Sequence, residues 1–275
     1  MTVRSFLAVP IVLSLPLQTL PSHAMSLGCT MSAGLAVDAD GAPNSYRVDG
    51  KGLSYTCDGV FAIVGGIPQT YKNNKNHWQE LCAQYWNASQ ESGDYSKVKI
   101  VGFAKDAEGK PKIQGANDPL PGLAYITTTS LTIPGTPDQV QRHYVNASEI
   151  PYVVLPESYA SIHRLRLGDV VAVFRPRTGR LAFGVYGDCC SLGEASVRLH
   201  QDLGNEPIVV RRDRTRRAKR GIGDAVAFVA LTGARTTPRL DAAAWRAEIR
   251  VKGQAALDAL GGQSAVAACA AKSAK

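Results

Sequence analysis

Two acidic residues, Asp188 and Glu194, occur in the segment FGVYGDCCSLGEAS, in a setting unlike that of the other acids. Asp188 follows an apolar run and Gly187, and Glu194 follows Gly193, whereas most other acids lie in polar stretches such as KDAEGK. Glycine permits unusual backbone angles or close approach of a ligand. Such a pair could supply the acid and the carboxylate that glycoside hydrolysis needs. The residues alone leave open that Asp188 caps a turn and that Glu194 decorates a helix N-terminus.

The six-residue separation of the pair restricts how the chain can run between them. In a straight strand their Cα atoms would lie about 20 Å apart, whereas catalytic carboxyl groups lie roughly 5–9.5 Å apart. The CCSLG segment must therefore fold back, and its vicinal cysteines favour a bent, disulfide-tethered loop. A helix beginning near Glu194 would favour the ionised carboxylate, while apolar burial would raise its pKa.

Alternating apolar residues predict that strands dominate the fold. The segment DVVAVFRPRTGRLAFGVYGD predicts a hairpin that ends at Asp188, with proline and glycine in its turn. Further strands are expected in KVKIVGF, LAYITTTSL, PYVVLP, PIVVRR and DAVAFVAL. We expect a β-rich α+β fold in which six or more strands form a barrel-like core, with few helices and a C-terminal helix. A double-psi-like barrel would fit, but the pattern does not fix the topology.

Helical periodicity is confined to three places. In HWQELCAQYWNAS an aromatic stripe recurs at helical spacing, which favours packing on the core over stacking on sugar rings. The segment EASVRLHQDLG predicts a helix that starts near Glu194 and ends at a glycine. The Ala-rich tail, residues 240–275, predicts a closing helix.

The N-terminus has the pattern of an export signal. Residues 1–24 combine Arg4, an apolar run and the small residues Ser22 and Ala24. A membrane anchor fits less well because prolines interrupt a run that is short for a spanning helix. We expect a secreted or periplasmic protein with one domain over residues 25–275 and no membrane span after removal of the signal.

The cysteines and histidines bear on disulfides and metals. All six cysteines follow the predicted signal, so disulfides are expected in an oxidising compartment, with connectivity left open. There is no CxxC pair and the histidines are scattered. We therefore expect no metal and no cofactor.

The chain is basic, with a formal net charge of +8. Arg4 is the only charged residue before residue 25, so the mature chain would carry +7. Much of the excess lies in RRDRTRRAKR, residues 211–220. This run could bind a polyanion, but a solvated loop between strands is favoured, since no aromatic residues interleave it for base stacking. No nucleic-acid partner is expected.

The order and approximate spacing of several segments resemble a known family. From residue 150 onward, IPYVVLP, LRLGDVVAVF and RLAFGVYGDCCSLGEAS resemble the fungal chitosanases of glycoside hydrolase family 75. Upstream, LAVDADGAPNSY resembles the family's DxDG segment and YITTTSL its Thr-rich strand, and downstream DAVAFVAL resembles its closing strand. The resemblance covers about 35–50 and 125–232 and leaves 52–120 and the tail unmatched. We expect a divergent member of bacterial origin.

The resemblance implies a substrate and a set of residue roles. The family cleaves internal β-1,4 linkages in chitosan, a polysaccharide, and is regarded as inverting. Its essential acids fall on Asp188 and Glu194; Asp188 would activate water and Glu194 would protonate the leaving group, although these roles could be exchanged. Asp38 and Asp40 match DxDG, where an Asx-rich turn is the alternative. The predicted substrate-binding residues are Asp38, Asp40, Tyr46, Thr128, Ser130 and Tyr152.

Two departures keep other functions open. The loop after Asp188 is shorter than in the family and begins with Cys189-Cys190. A basic protein also suits a polycation only if its cleft is locally acidic. A peptidoglycan hydrolase on the same scaffold and a non-catalytic glycan-binding envelope protein are the alternatives.

Overall fold

A computed structural model of the protein describes residues 28–273. The export signal predicted for residues 1–24 and the predicted domain start at residue 25 lie outside this range. Twelve strands occur within it. They are β1 (Thr30–Ser32), β2 (Ala36–Asp38), β3 (Val60–Val64), β4 (Ile67–Pro68), β5 (Val98–Ile100), β6 (Tyr152–Val154), β7 (Asp169–Arg175), β8 (Arg180–Asp188), β9 (Glu194–Ser196), β10 (Ile208–Val210), β11 (Arg216–Ala218) and β12 (Val226–Arg235).

Five α-helices accompany the strands in the described part of the chain. They are α1 (Trp78–Ser92), α2 (Glu157–Ile162), α3 (Val197–Asp202), α4 (Ala242–Ala259) and α5 (Gly262–Ser273). Two single-turn 3-10 helices lie at Thr56–Asp58 and Gln141–His143. Within residues 28–273, no helix has both the length and the apolar character needed to cross a membrane.

A seven-stranded sheet forms the centre of the fold, in the order β1-β12-β7-β8-β6-β9-β2. It curls into a half-barrel, which confirms the β-rich fold with a barrel-like core. The predicted hairpin is its antiparallel β7–β8 pair, with Arg175 opposite Arg180 at the turn. Strand β6 lies between β8, to which it is parallel, and β9, to which it is antiparallel. The position of β6 decides how the two candidate acids are arranged.

Both faces of this sheet are covered, so the interior strand β7 is buried along its whole length and is apolar between Asp169 and Arg175. In β7, Val170 and Ala172 face one apolar cluster and Val171 and Val173 face the other. The first cluster includes Trp245 and residues of α4 and α5, and the second includes residues of α2 and α3. Strand residues alternate between faces, so a strand buried on both sides reads as a continuous apolar run.

A smaller three-stranded sheet, β4-β3-β5, packs against α1. Cys82 and Trp86 on α1 are buried in a cluster with Phe103 and Tyr125. The rings of Phe103 and Tyr125 stack with their centroids 4.6 Å apart. The aromatic stripe predicted for this helix therefore packs on the core, as expected.

Four predicted elements differ in detail from the structure. Residues 194–196 form strand β9, and α3 begins only at Val197, with Ser196 accepting a hydrogen bond from the Leu199 N–H as the N-cap. The predicted start of this helix near Glu194 is therefore wrong. The tail forms two helices separated near Gly261, whose φ of 98° favours glycine.

The other two differences concern the Thr-rich segment and the basic run. The Thr-rich segment forms only isolated bridges, because Tyr125, Ile126 and Leu131 donate hydrogen bonds to carbonyls of three separate segments. The basic run contains strand β11, which pairs with β10 in a hairpin. We call residues 208–218 the basic hairpin.

All six cysteines pair within the described residues. Cys57 pairs with Cys82, and Cys189 pairs with its neighbour Cys190. The Cys29–Cys269 bridge joins residues 240 positions apart, and so ties the N-terminal edge of the large sheet to α5.

Removal of this long-range bridge tests its contribution to stability. The double variant Cys29→Ser with Cys269→Ser should lower the free energy of unfolding by about 2–5 kcal/mol, because the unfolded chain loses a large closed loop. Denaturant unfolding under oxidising conditions measures the change. Unchanged stability would show that α5 is held by its packing alone.

Candidate active site

A β-bulge at Gly187 places the Asp188 side chain. In the pairing of β6 with β8, Val153 lies opposite Tyr186 but Val154 lies opposite Asp188, so Gly187 is one residue in excess. An extra residue shifts the alternation by one, and this turns Asp188 to the face of Val154 rather than that of Tyr186.

The bulge requires glycine for reasons of space. A Cβ atom at Gly187 would lie 2.7 Å from the Cβ of Tyr152, whose side chain is fully buried. The role of this glycine is thus to admit Tyr152, not to let a ligand approach the backbone.

Glu194 reaches the same face from the other side of β6. In the pairing of β9 with β6, Glu194 lies opposite Val154. Val154 therefore has Asp188 on one side and Glu194 on the other. Two strand spacings separate their Cα atoms by about 10 Å, and cross-strand neighbours project their side chains to the same face. The predicted reversal through residues 189–193 is present, with Gly193 at φ 96°. This separation is within reach of two-carboxylate chemistry.

Asp38 and Asp40 extend this pair to a group of four acids. Strand β2 runs parallel to β9 with Ala36 opposite Glu194, so Asp38, two residues on, shares the face of Glu194. The Asp40 N–H donates to Asp38 Oδ1 at 2.8 Å, as in an Asx turn. We call Asp38, Asp40, Asp188 and Glu194 the carboxylate cluster; all four are only partly buried and retain access to solvent.

Burial raises the pKa of each of these acids, and a neighbour's charge adds to this at Asp38, Asp40 and Glu194. Burial, followed by the charge of Asp188, raises the pKa of Asp38 to about 7. Burial and then the charge of Asp38 hold the pKa of Asp40 well above its usual value. Asp38 therefore retains its proton up to about neutral pH.

The two acids that flank Val154 differ in their hydrogen-bond donors. Burial raises the pKa of Asp188, but Ser130 Oγ at 2.6 Å, Ser130 N at 3.1 Å and Cys189 N at 2.8 Å donate to its Oδ1 and favour the ionised form. Burial also raises the pKa of Glu194; a hydrogen bond from Ser191 opposes this, and the charge of Asp188 adds to it. Burial thus raises the pKa of both acids, and the hydrogen bonds that oppose this are more numerous at Asp188 than at Glu194.

The other residues predicted to bind substrate have different surroundings. Tyr152 and Tyr46 are buried beneath the carboxylate cluster, with Tyr152 Oη donating to the Asp40 carbonyl at 2.9 Å and Tyr46 hydrogen-bonded to the Asp40 carboxyl group. Ser130 is exposed beside Asp188, and Thr128 is half-buried in the same segment.

Sequence reasoning missed two residues that support the site. Ser191 hydrogen-bonds Glu194, and nothing in the CCSLG segment distinguishes it. His200 is fully buried on α3, and its Nε2 lies 2.9 Å from the Ala36 carbonyl oxygen, which fixes the strand that leads to Asp38. Burial lowers the pKa of His200 to about 4, so the ring is neutral. A histidine on an amphipathic helix gives no sequence signal for this role.

A cavity of about 690 Å³ borders the cluster along the outer edge of β2. It is lined by Ala36, Gly193 and the glycines at 221 and 223, with Asp58, Gln79 and Lys219 as polar groups. None of the four acids of the carboxylate cluster lines this cavity. Within residues 28–273, no set of three or more His, Cys, Asp or Glu residues has the arrangement of a metal site.

A sequence model of the family described as fungal chitosanase of glycosyl hydrolase group 75 matches residues 35–266. The chain belongs to this family. No curated protein gives a significant match. The protein is therefore a glycoside hydrolase of the chitosanase type.

The family match is broader than the motifs indicated. It is a single interval that includes residues 52–120 and most of the tail, which the motif comparison left unmatched. The small sheet with α1 and the helix α4 thus belong to the matched chitosanase region.

A glycine substitution tests the bulge that orients Asp188. Gly187→Ala should destabilise the protein by about 1–3 kcal/mol through overpacking on Tyr152, and should lower the rate of chitosan hydrolysis tenfold or more by displacing Asp188. Gly115→Ala is the matched control, since the nearest atom to a Cβ there is Asp118 Oδ2 at 3.9 Å. Full activity in Gly187→Ala would show that the bulge does not position the acid.

The raised pKa of Asp38 predicts a pH-dependent contribution to stability. The folded-state pKa of about 7 lies above the ordinary value of 3.8, so the folded state holds more protons between them. Stability from this group is present at low pH and is lost as the pH rises from about 4 to about 7. Urea unfolding of wild type and Asp38→Asn checks this. As the pH rises over this range, the unfolding free energy of wild type should fall relative to that of Asp38→Asn. A difference independent of pH would contradict the assignment.

Proposed function

We propose that the protein hydrolyses internal β-1,4 linkages of chitosan, with Asp188 and Glu194 as the catalytic pair. The observation that carries this proposal is the register of the two acids on either side of Val154, on one face of the sheet. Membership of the family supplies the hydrolase class and the expected substrate.

The hydrogen bonds of the pair support distinct roles. Asp188 accepts three hydrogen bonds that favour its charged form, so it is the better candidate to activate water. Glu194, beside that charge and partly buried, is the better candidate to protonate the leaving oxygen. A Cα separation of about 10 Å, with both side chains on one face, is compatible with the roughly 6.5–9.5 Å between carboxyl groups that leaves room for water in an inverting reaction.

The carboxylate cluster accounts for a cationic substrate on a basic protein. Four acids lie together in the site although the whole chain carries +8. Glucosamine units of chitosan carry ammonium groups, and one such group near Asp38 and Asp40 would relieve the repulsion among the carboxylates. We propose these two residues as ammonium contacts, with Ser130, Thr128, Tyr46 and Tyr152 bordering or supporting the same subsite.

Export of the protein is part of the proposal. Residues 1–24 have the composition of a signal peptide, and the paired cysteines of the described chain suit an oxidising compartment. The protein would then act on polysaccharide in the periplasm or outside the cell.

Peptidoglycan is the second candidate substrate. The exposed arginines of the basic hairpin, including Arg211, Arg212 and Arg214, favour an anionic wall polymer. The acidity of the site itself favours chitosan, so we place peptidoglycan second.

Substitution of the pair tests both the mechanism and the substrate. Asp188→Asn and Glu194→Gln should each lower the rate of chitosan hydrolysis by about 10²–10⁴-fold, because each removes a proton-transfer group. Both variants should remain folded by circular dichroism and should still bind chitosan. Glu206→Gln, at an exposed loop position, is the matched control and should keep full activity.

Product analysis separates the alternatives. Mass spectrometry should show glucosamine oligomers from chitosan, and proton NMR should show the α-anomer as the first product of an inverting reaction. If fragments were released from purified peptidoglycan and none from chitosan, peptidoglycan would be the substrate. Full activity in both acid variants would refute the catalytic pair.

A further inference from the structure

A second cavity, of about 630 Å³, lies between α3, α4 and the start of β8. Its wall combines apolar atoms of Leu181, Phe183 and Val251 with polar side chains. The polar side chains are Arg198, Asp202, Arg246, Arg250, Gln254 and Gln263. Three arginines and one acid thus share a single cavity, which we call the arginine pocket.

The arginines converge from two helices. Arg246 and Arg250 are four residues apart on α4, so they project from the same face of that helix. Arg198 comes from α3. Both helices contact β8, so the arginines are carried by elements that the sheet holds in place.

The positive charge of the arginine pocket is only partly neutralised. Arg198 Nη2 pairs with Asp202 at 2.8 Å, one helical turn away. Arg246 Nη1 donates to the Glu149 carbonyl oxygen at 3.1 Å. Within residues 28–273, Arg250 forms no ion pair or side-chain hydrogen bond, so the pocket retains two guanidinium groups without an acidic partner.

One of the arginines that line the pocket has a buried hydrogen-bond donor without an acceptor. The Nε of Arg198 is shielded from solvent and has no hydrogen-bond partner among the described residues. A buried unsatisfied donor is unfavourable, and such groups are uncommon in folded proteins.

This pocket is separate from the carboxylate cluster. Phe183, which lines the pocket, and Asp188 are five residues apart on β8, a distance of about 17 Å along an extended strand. The pocket is basic, whereas the catalytic end of the strand is acidic, so the ammonium groups of chitosan are disfavoured there.

We propose that the arginine pocket is a binding site for a phosphate-type oxyanion, held by Arg198, Arg246 and Arg250. Guanidinium groups match the oxygens of phosphate in paired hydrogen bonds and stay charged at every physiological pH. The bound anion would link α4 to α3 and stabilise the packing of α4 on the sheet. The phosphate group could be a free ion or part of an anionic polymer.

Calorimetric titration with inorganic phosphate, at constant ionic strength maintained with sodium chloride, tests the proposal. Wild type should bind phosphate, and its melting temperature should rise with phosphate concentration. Arg250→Gln and Arg246→Gln should each weaken binding about tenfold or more, the loss expected for one charge-assisted contact. Arg212→Gln, which removes the same charge from the basic hairpin, is the matched control and should bind phosphate like wild type.

The same variants distinguish the outcomes. Absence of phosphate binding by wild type, or equal losses in Arg212→Gln and Arg250→Gln, would overturn the proposal. Arg250 is exposed, so its variant should fold and should keep its rate of chitosan hydrolysis, which makes the result independent of the proposed function. A soluble polyphosphate chain that binds far more tightly than inorganic phosphate, in an Arg250-dependent way, would identify a polymer as the source; equal affinities would identify the free ion.

Discussion

Four carboxyl groups lie close together in this structure and are partly removed from water. Their mutual repulsion and burial are the main energetic cost that the surrounding structure must offset. Burial is the first cause of the raised pKa at Asp38, Asp40, Asp188 and Glu194 alike, and three of these groups also respond to a neighbour's charge. Such an arrangement opposes folding unless donors or protons offset it. The sheet supplies the rigid frame, and short loops supply the donors.

Those donors are distributed unequally between Asp188 and Glu194, and the proposed roles of the two acids rest on this difference. Asp188 accepts hydrogen bonds from the hydroxyl and the N–H of Ser130 and from the N–H of Cys189, whereas Glu194 has a hydrogen bond with Ser191. The two carboxyl groups therefore differ in how strongly hydrogen bonds favour the ionised form, although burial raises the pKa of both. Acid–base catalysis depends on such a difference, because one group must give a proton while the other accepts one.

The total charge of the chain says little about this site. The structure separates the charges, placing the acids at one end of the large sheet and many arginines on the basic hairpin. Arg217 of the hairpin is buried; its Nη1 and Nη2 donate to the carbonyl oxygens of Gly50, Gly52 and Ser54, and its guanidinium lies over the ring of Tyr55. Its Nε has no hydrogen-bond partner among the described residues. Since charges are screened over about 8 Å at physiological salt, a substrate at the cluster responds mainly to the local acids.

The sequence by itself determined the strand-rich character, the β7–β8 hairpin and the two acids, because these depend on local periodicity and on a compact motif. It also required residues 189–193 to fold back, because an extended chain cannot bring Asp188 and Glu194 together. Only the tertiary structure decided that β6 lies between the two acids, that Gly187 makes a bulge to admit Tyr152, and that Glu194 lies on a strand. The pairing of β2 with β9 likewise brings Asp38 to residues more than 150 positions away. Strand order and register arise from contacts between distant segments, and no local pattern of residue types encodes them.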